Sequence, residues 1–555
     1  MSLLLPSRAQ APTATAPIPT PVPDEPARAG GPVAPLVSVL IPAYNAGAYL
    51  VPCLESLFAQ SLDAERIEIV AVDDASTDGT AEVLDRYAAR HPRMRVVHRA
   101  VNSGGASAPS NDALERARGT YVMFVGADDY LGREALERLV AMAEANDSDV
   151  VLGKLVGHGR SVPGIFKRNV ASTDVFSSDV YSSLRVTSLF RRDMVEREAL
   201  RFPTEFHYGE DSFFAAGAYL AARRISVLSD YDCYHAVRRD DGGNITTRLR
   251  RPFPMVAAIL AYSAERVPPG ERRDQLHARH FRVEFWNATA SRRAHWLAGG
   301  AATDPVARQA REVVAKWYTA GIGRRLSRAK RVYVELIARG QFVKAAEQAE
   351  FIASGAKAPQ VIEEGRVFEA QPHFRDPEAA LADDFFDATD DVKLTFTLRR
   401  MEWREGVCTF AGTARASGVD PDPMRAALVL RHRGTGEEFL LDCRTPAVPP
   451  GTGPRRAGDG DRQVTAEVDF TRVVDGGPLP SGVWDVFLRL GAPGLELTTR
   501  VGRRRGGAVD TMARRPVALG VEHVEGRARE VTAVPYFTDP HENVSVDVFR
   551  RLPAD

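Results

Sequence analysis

Two adjacent carboxylates, Asp128 and Asp129, end a short apolar run, Tyr121-Val122-Met123-Phe124-Val125, through Gly126-Ala127. Such a run fits a strand buried on both faces. In open α/β sheets, ligands gather just beyond the carboxyl ends of the strands. Two acids placed there could hold a hard divalent cation, which takes oxygen ligands and bridges to phosphate. The same pair also suits a turn whose aspartates cap a following helix over 132–143, and this window alone leaves both readings open. Other stretches with chemical potential are Asp73-Asp74-Ala75-Ser76-Thr77-Asp78-Gly79-Thr80, Asn102-Ser103-Gly104-Gly105, His207-Tyr208-Gly209-Glu210-Asp211 and Arg238-Arg239-Asp240.

The elements that must position these residues alternate in type. Val37 to Ile41 is a β-branched run stopped by Pro42 and followed by Ala43-Tyr44-Asn45. A helix then places Leu50, Cys53, Leu54 and Leu57 on one face. A second strand over 67–72 runs into the Asp73-Asp74 loop, and the next helix carries Val83, Leu84 and Tyr87. A third strand over 94–98 leads to Asn102, and a helix over about 110–117 leads back to the run at 121. This alternation indicates βαβ units and a mainly parallel sheet. Right-handed crossovers place the loops after the strands along one edge.

The first strand–helix junction, Pro42-Ala43-Tyr44-Asn45-Ala46-Gly47, lacks the G-x-G-x-x-G of a dinucleotide-binding fold, and no Walker-type loop follows any strand. A nucleotide bound here would have its phosphates handled by a metal and by side chains.

Three ordered motifs, Val37-Ser38-Val39-Leu40-Ile41-Pro42-Ala43-Tyr44-Asn45, Val72-Asp73-Asp74-Ala75-Ser76-Thr77-Asp78-Gly79-Thr80 and Gly126-Ala127-Asp128-Asp129, resemble the family 2 glycosyltransferases of GT-A fold over about residues 36–250. The resemblance implies inverting transfer of a sugar from a UDP-sugar, assisted by Mg2+ or Mn2+. It implies that Asp74 contacts the uracil and that Pro42 lines the same pocket. Asp128 and Asp129 would meet the ribose and the metal–diphosphate, with Asp129 the favoured metal ligand and Asp128 beside it. Tyr44 and Asn102, in loops on the same edge, complete the donor-binding set. An ionised Asp accepts from the uracil imide N–H, and a metal neutralises charge on a departing diphosphate. The plainer reading of Asp74 is an Asx-type turn residue.

Inverting transfer also needs a base on the acceptor side. Asp211 lies near a predicted helix start, where the dipole favours its charged form, and the resemblance assigns it as base with Glu210 as its neighbour. The later stretches Ile225-Ser226-Val227-Leu228, Tyr231-Asp232-Cys233-Tyr234, Arg238-Arg239-Asp240 and Gly243-Asn244-Ile245-Thr246 resemble the enzymes that glycosylate polyribitol-phosphate wall teichoic acid with N-acetylglucosamine. In those, an arginine supports the catalytic acids, and Arg239 is its counterpart, the alternative being a solvated Arg-Arg pair. One departure is Ser110, ahead of Asn111, where family members often carry arginine.

The bulk numbers are ordinary. At 555 residues the chain needs about three or four domains. Its net charge of −1 gives no pull toward nucleic acid. Four scattered cysteines favour a reducing compartment, and no apolar run approaches the ~18 residues of a membrane span. The expectation is a cytoplasmic protein, possible contact with the inner membrane face included.

Residues 1–35, rich in Pro and Ala, are expected to be disordered, and 251–375 helical. There Arg324, Arg325, Arg328, Lys330 and Arg331 form a basic run, read as a solvated face or as a track for an anionic acceptor. Residues 376–391 read as an acidic linker and 392–505 as a β-sandwich. By the same resemblance the sandwich is an oligomerisation scaffold, trimeric by analogy. Residues 506–555 read as a tail able to add a hairpin.

Two other functions compete. A sugar nucleotidyltransferase wants a Gly- and Arg-containing loop after the first strand, which is absent. A glycan-binding scaffold with an inactive transferase domain is favoured by Ser110 and opposed by the joint presence of Asp74, Asp128, Asp129 and Asp211.

Overall fold

The computed structural model describes residues 34–552 apart from 163, 165–166, 207–208, 242–252, 420–423, 446–460, 475, 507–508, 510–515 and 525–526. The expectations for residues 1–33, for His207 and Tyr208 and for Gly243 to Thr246 lie outside the described residues. The chain divides into two compact units, residues 1–248 and 249–555.

The first unit runs β1 (Val37–Ala43), α1 (Gly47–Phe58), β2 (Ile67–Asp73), α2 (Thr80–Ala88), β3 (Met94–His98), α3 (Ser107–Glu115) and β4 (Tyr121–Phe124). It continues β5 (Tyr130–Leu131), α4 (Ala135–Ala145), β6 (Val150–His158), β7 (Val170–Thr173), β8 (Leu189–Arg191), α5 (Arg192–Arg197), α6 (Glu210–Ala221) and β9 (Ile225–Val237). The strands form one sheet in the order β3-β2-β1-β4-β8-β6-β9-β5, with β7 added on β9. Strand β2 is buried along its whole length, as expected of a strand with helices on both faces.

Pairing is parallel across β3, β2, β1 and β4, the half built from strand–helix–strand units. Beyond β4 the sheet is mixed: β8 is antiparallel to β4 and β6, β6 is parallel to β9, and β5 and β7 are antiparallel to β9. Among the described residues of 159–188, which precede β8, there is β7 but no α-helix, so none of them imposes a right-handed crossover and parallel entry. Strand β5 also displaces the helix expected at 132. Tyr130 and Leu131 pair with His235 and Tyr234, and Gly132 N–H donates to Cys233 O at 3.0 Å, so α4 begins only at Ala135.

One apolar layer of this unit joins α1 and α4 to the sheet through Leu50, Leu54, Leu136 and Leu139. On the other face Phe124, Phe202 and Phe214 pack ring to ring, Phe202 and Phe214 stacked at 4.6 Å. The entry to β4 is set by a close backbone approach. Gly119 N–H donates to Ser38 Oγ at 2.7 Å, Ser38 Oγ donates to Glu68 at 2.5 Å, and Tyr121 N–H reaches Leu36 O.

The second unit begins with helices from Phe253–Arg266 to Phe342–Ser354, packed around Phe281, Phe285, Trp296 and Tyr333. Ion pairs tie the acidic segment to its surroundings, and Arg328 of the basic run takes part. Arg328 pairs with Glu369 and Asp391, Lys344 with Asp376, and Arg366 with Asp384 and Asp387. Arg331 donates to the carbonyls of Asp384 and Phe385, Lys330 sits over Trp286, and Arg325 meets Glu271. Four of the five cations of the run are thereby engaged within the chain. The segment expected as a linker is packed: Ala379, Leu381, Phe386 and Ala388 are buried, and a hairpin of Gln360–Glu363 with Arg366–Glu369 precedes it.

The β-rich part extends past the expected end. A four-stranded and a seven-stranded sheet enclose one core around Phe410, Phe470 and Trp484. Strands Val517–Val524, Arg527–Phe537 and Val544–Arg551 belong to the larger sheet, where Val544–Arg551 pairs with Gly482–Ala492. The tail is part of the sandwich because its alternating residues, Val544, Val546 and Val548, complete the same buried layer.

A Cβ at position 119 would meet Ser38 N at 2.6 Å. Gly119→Ala is therefore expected to destabilise the chain by about 1–3 kcal/mol, read as a lowered denaturation midpoint. An unchanged midpoint would show that this backbone approach yields freely.

Candidate active site

The loops after β1, β2, β3 and β4 lie together at the carboxyl edge of the parallel half, and each is tied to another by side chains. Asn45, in a left-handed conformation (φ 46°), accepts from Thr77 N–H at 2.8 Å and donates its own N–H to Ser76 Oγ at 3.0 Å. The N–H groups of Ala46 and Gly47 at the start of α1 donate to Thr80 Oγ1 and Asp78 Oδ2. First-turn amides that have no partner inside a helix thus bond the loop of the neighbouring strand.

Asp74 is 2% exposed and is held from the loop after β3. Its Oδ2 accepts from Asn102 Nδ2 at 3.1 Å, from Ser103 N–H at 3.0 Å and from Ser103 Oγ at 2.8 Å. Arg99 Nε stands 3.0 Å from Oδ1, a charge contact without good hydrogen-bond alignment. The neighbouring Asp73, rather than Asp74, takes the Asx-turn bond, from Ser76 N–H at 3.2 Å. Asn102 is a strut between Asp74 and Gly104 N–H. Pro42 is half-buried in β1, and Tyr44 is 48% exposed at the mouth of the loop.

Asp128 and Asp129 do not cap α4, whose N-cap position is Glu134. Both fold back over Gly126, where a Cβ would lie 2.9 Å from Asp129 Oδ2 and 3.1 Å from Asp128 Oδ1. Tyr234 Oη donates to Asp129 Oδ2 at 2.6 Å and itself accepts from Gly126 N–H at 3.0 Å, while Val237 N–H donates to Asp129 Oδ1 at 2.8 Å. Burial, then the charge of Asp128, pushes the Asp129 carboxyl up to about 6. Burial also raises Asp128, against the pull of Arg239 and Arg160. Two half-buried carboxylates whose charges burial opposes are a donor set that suits a hard divalent cation, which accepts carboxylate oxygens and leaves positions for substrate phosphate. Among the described residues no third His, Cys, Asp or Glu joins them.

Arg239 lies on this side of the site. Its guanidinium binds Asp241 at 2.6 Å and Asn45 O at 2.7 Å, covers the Tyr49 ring at 4.6 Å and acts by charge on Asp128. It is 10% exposed, so the solvated Arg-Arg pair is not what the structure builds.

Glu210 and Asp211 form the first turn of α6 after Gly209, whose φ of 89° is left-handed. Asp211 Oδ1 accepts from Ser212 N–H at 2.8 Å. The chain leading there is held by α3: Asn111 exchanges two hydrogen bonds of 2.9 Å with Phe202, and Ser107 Oγ donates to Pro203 O at 2.8 Å. Ser110 is 3% exposed, so this chain has no open room there for an arginine side chain.

Sequence reasoning did not single out Tyr234, Ser103 or Arg99 as partners of the site acids. Ser103 stood in a motif already marked. Nothing local in the run Tyr231 to Tyr234 indicates that its last ring reaches Asp129.

The glycosyl transferase family 2 model matches residues 38–221. This span holds every loop just described except β9 and Arg239. The chain belongs to glycosyl transferase family 2. Two further models match beyond the transferase domain, a TarS linker domain over 252–349 and TarS C-terminal domain 1 over 391–548. A poly(ribitol-phosphate) beta-glucosyltransferase of Bacillus spizizenii is 28% identical over 92% of this chain and 78% of its own length. The poly(ribitol-phosphate) beta-N-acetylglucosaminyltransferase TarS of Staphylococcus aureus is 37% identical over 37% of this chain and 36% of its own length. The uncharacterized glycosyltransferase YibD of Escherichia coli is 32% identical over 40% of this chain and 70% of its own. Among solved structures, S. aureus TarS 1-349 in complex with UDP-GlcNAc aligns with a TM-score of 0.53 at 26% identity, covering 62% of this chain and 98% of that one. S. aureus TarS aligns over 93% of this chain and 86% of its own length with a TM-score of 0.58 at 22% identity, a likeness of fold.

Within this family 2 site, Tyr234→Phe removes the donor to Asp129 Oδ2. Hydrogen bonds to charged groups contribute about 1.5–3 kcal/mol, so kcat/KM for glycosyl transfer is expected to fall roughly ten- to a hundredfold with the circular dichroism spectrum unchanged. Unaltered kcat/KM would show that Asp129 is placed without this bond.

Proposed function

We propose that this glycosyltransferase moves a sugar, N-acetylglucosamine in the first instance, from a UDP-sugar to a hydroxyl of a cell-surface polyol-phosphate, with inversion and with a divalent metal. The observation that carries this reading is the joint placement of a buried Asp74, the Asp128-Asp129 pair and the Glu210-Asp211 turn in one unit. The activities of the two poly(ribitol-phosphate) relatives support the acceptor class.

Mg2+ or Mn2+ would be held by Asp129 and Asp128, where it supplies neutralisation of the charge on the departing diphosphate. Asp74 takes the uracil imide N–H. The carboxylate is already well supplied with donors, so binding exchanges at least one bond from Asn102 or Ser103 for the base. Pro42 and Tyr44 flank the same pocket. Asp211 accepts the proton of the acceptor hydroxyl as its oxygen attacks the anomeric carbon, and the bond to the UDP oxygen breaks on the opposite face. The helix N-terminus keeps Asp211 ionised before attack, and Glu210 borders it. Arg239 holds the loop of Asn45 and offsets charge at Asp128. The β-rich domain serves as the scaffold of a homo-oligomer.

Asp211→Ala is expected to lower transfer from UDP-N-acetylglucosamine to poly(ribitol-phosphate) by at least a thousandfold while UDP affinity changes less than about threefold. Near-normal turnover would remove Asp211 from the base role. Treatment with a chelator is expected to abolish transfer, and added Mn2+ or Mg2+ to restore it. Full activity in the chelator would show that Asp128 and Asp129 serve without a metal.

A further inference from the structure

Beside the carboxylates, three aromatic side chains converge where β5, β6 and β9 meet. Tyr130 and His235 are cross-strand partners whose rings stack 4.5 Å apart and 6° from parallel. His158, the last residue of β6, brings Nε2 to 3.0 Å from Tyr130 Oη and 2.9 Å from His235 Nδ1. A neutral imidazole nitrogen offers one proton or one lone pair, so His158 Nε2 cannot make a full hydrogen bond to both. A second proton is resisted as well, since burial and then the neighbouring His158 lower the basicity of His235. A protonated His235 Nδ1 and the Tyr130 phenol thus compete for one lone pair on His158 Nε2, and His158 is exposed to solvent.

We propose that His158 Nε2, His235 Nδ1 and Tyr130 Oη form a binding site for a borderline divalent metal ion, with Zn2+ as the type case. Imidazole nitrogens favour such ions over the hard cations that an all-carboxylate pair selects. Zinc bonds of about 2.0–2.1 Å in a tetrahedron put ligand atoms roughly 3.3 Å apart. The observed separations are a few tenths of an ångström shorter, and His158 can move outward to open them. Binding requires each histidine to carry its proton on the other ring nitrogen, and Tyr130 Oη closes the third position. Three protein ligands leave the fourth position to water. Each of Tyr130 and His235 is one residue from a member of the Asp129–Tyr234 bond, on the opposite side of its strand. An ion here therefore cross-links β5, β6 and β9 behind the catalytic carboxylates, independently of the transfer reaction.

The test titrates Zn2+ into the full chain after metal stripping, by calorimetry and against a chromophoric chelator. One equivalent bound through the histidines is expected in the unaltered chain and is expected to persist in the double variant Asp128→Asn/Asp129→Asn. His158→Gln, a substitution at an exposed position, is expected to weaken that equivalent at least tenfold, and His158→Gln/His235→Gln to abolish it. Saturating Zn2+ should raise the melting temperature by about 3–6 °C in the first two proteins and by none in the last. Circular dichroism checks that each variant is folded. Absence of binding, equal binding by His158→Gln, or loss of the equivalent only in Asp128→Asn/Asp129→Asn would overturn the site. A chain inactive in glycosyl transfer but binding Zn2+ through His158 would uphold it while overturning the transferase reading.

Discussion

The hydrogen bond from Tyr234 to Asp129 spans 105 residues of sequence, and the edge that carries the candidate site is built outward from it. A half-buried carboxylate beside a second one resists ionisation, which pushes the Asp129 carboxyl up to about 6. Tyr234 and Val237 N–H counter that by supplying a donor to each oxygen. Because Tyr234 also binds Gly126 N–H, the same phenol fixes the turn that brings Asp128 and Asp129 together. The short pairing of β5 with β9 exists to place these groups, at the cost of a later start for α4.

Around this centre the site is rigid by mutual obligation. The loop after β1 depends on Ser76, Thr77, Asp78 and Thr80 of the loop after β2, and Asp74 of that loop depends on Asn102 and Ser103 after β3. Each of these contacts satisfies a backbone or side-chain group that would otherwise be unpaired near the sheet edge. A pocket made this way offers preformed donors and acceptors, and its residues cannot be exchanged singly without loosening a neighbouring strand's loop. Arg239 extends the network to the end of β9 through Asn45 and Asp241.

In the second unit, electrostatics assembles rather than recruits. A helix rich in arginine and a segment rich in aspartate look, apart, like an anion track and a flexible linker. Packed together they pair at Arg328–Asp391, the following helix adds Lys344–Asp376, and aromatic faces take Lys330 and Arg331. Burial beside Trp286, with Arg282 nearby, lowers Lys330 to about 8. The alternating residues of 544–548 likewise find partners only when the sheet closes.

Local pattern was enough for the strand–helix alternation, the common edge of the loops and the candidate acids Asp74, Asp128, Asp129 and Asp211. These follow from side-chain periodicity and from motifs a few residues long, where cause and effect share one segment. Tertiary structure alone excluded the helix-cap reading at Asp128 and Asp129, because helix capping or its absence depends on where β9 runs. It decided that Arg239 sits against Asn45 and Tyr49, that β8 enters antiparallel, and that four of the five cations of the basic run are engaged within the chain. It brought Tyr130, His158 and His235 together from three strands. Each of these rests on contacts between segments tens of residues apart, whose geometry is set by sheet order and packing.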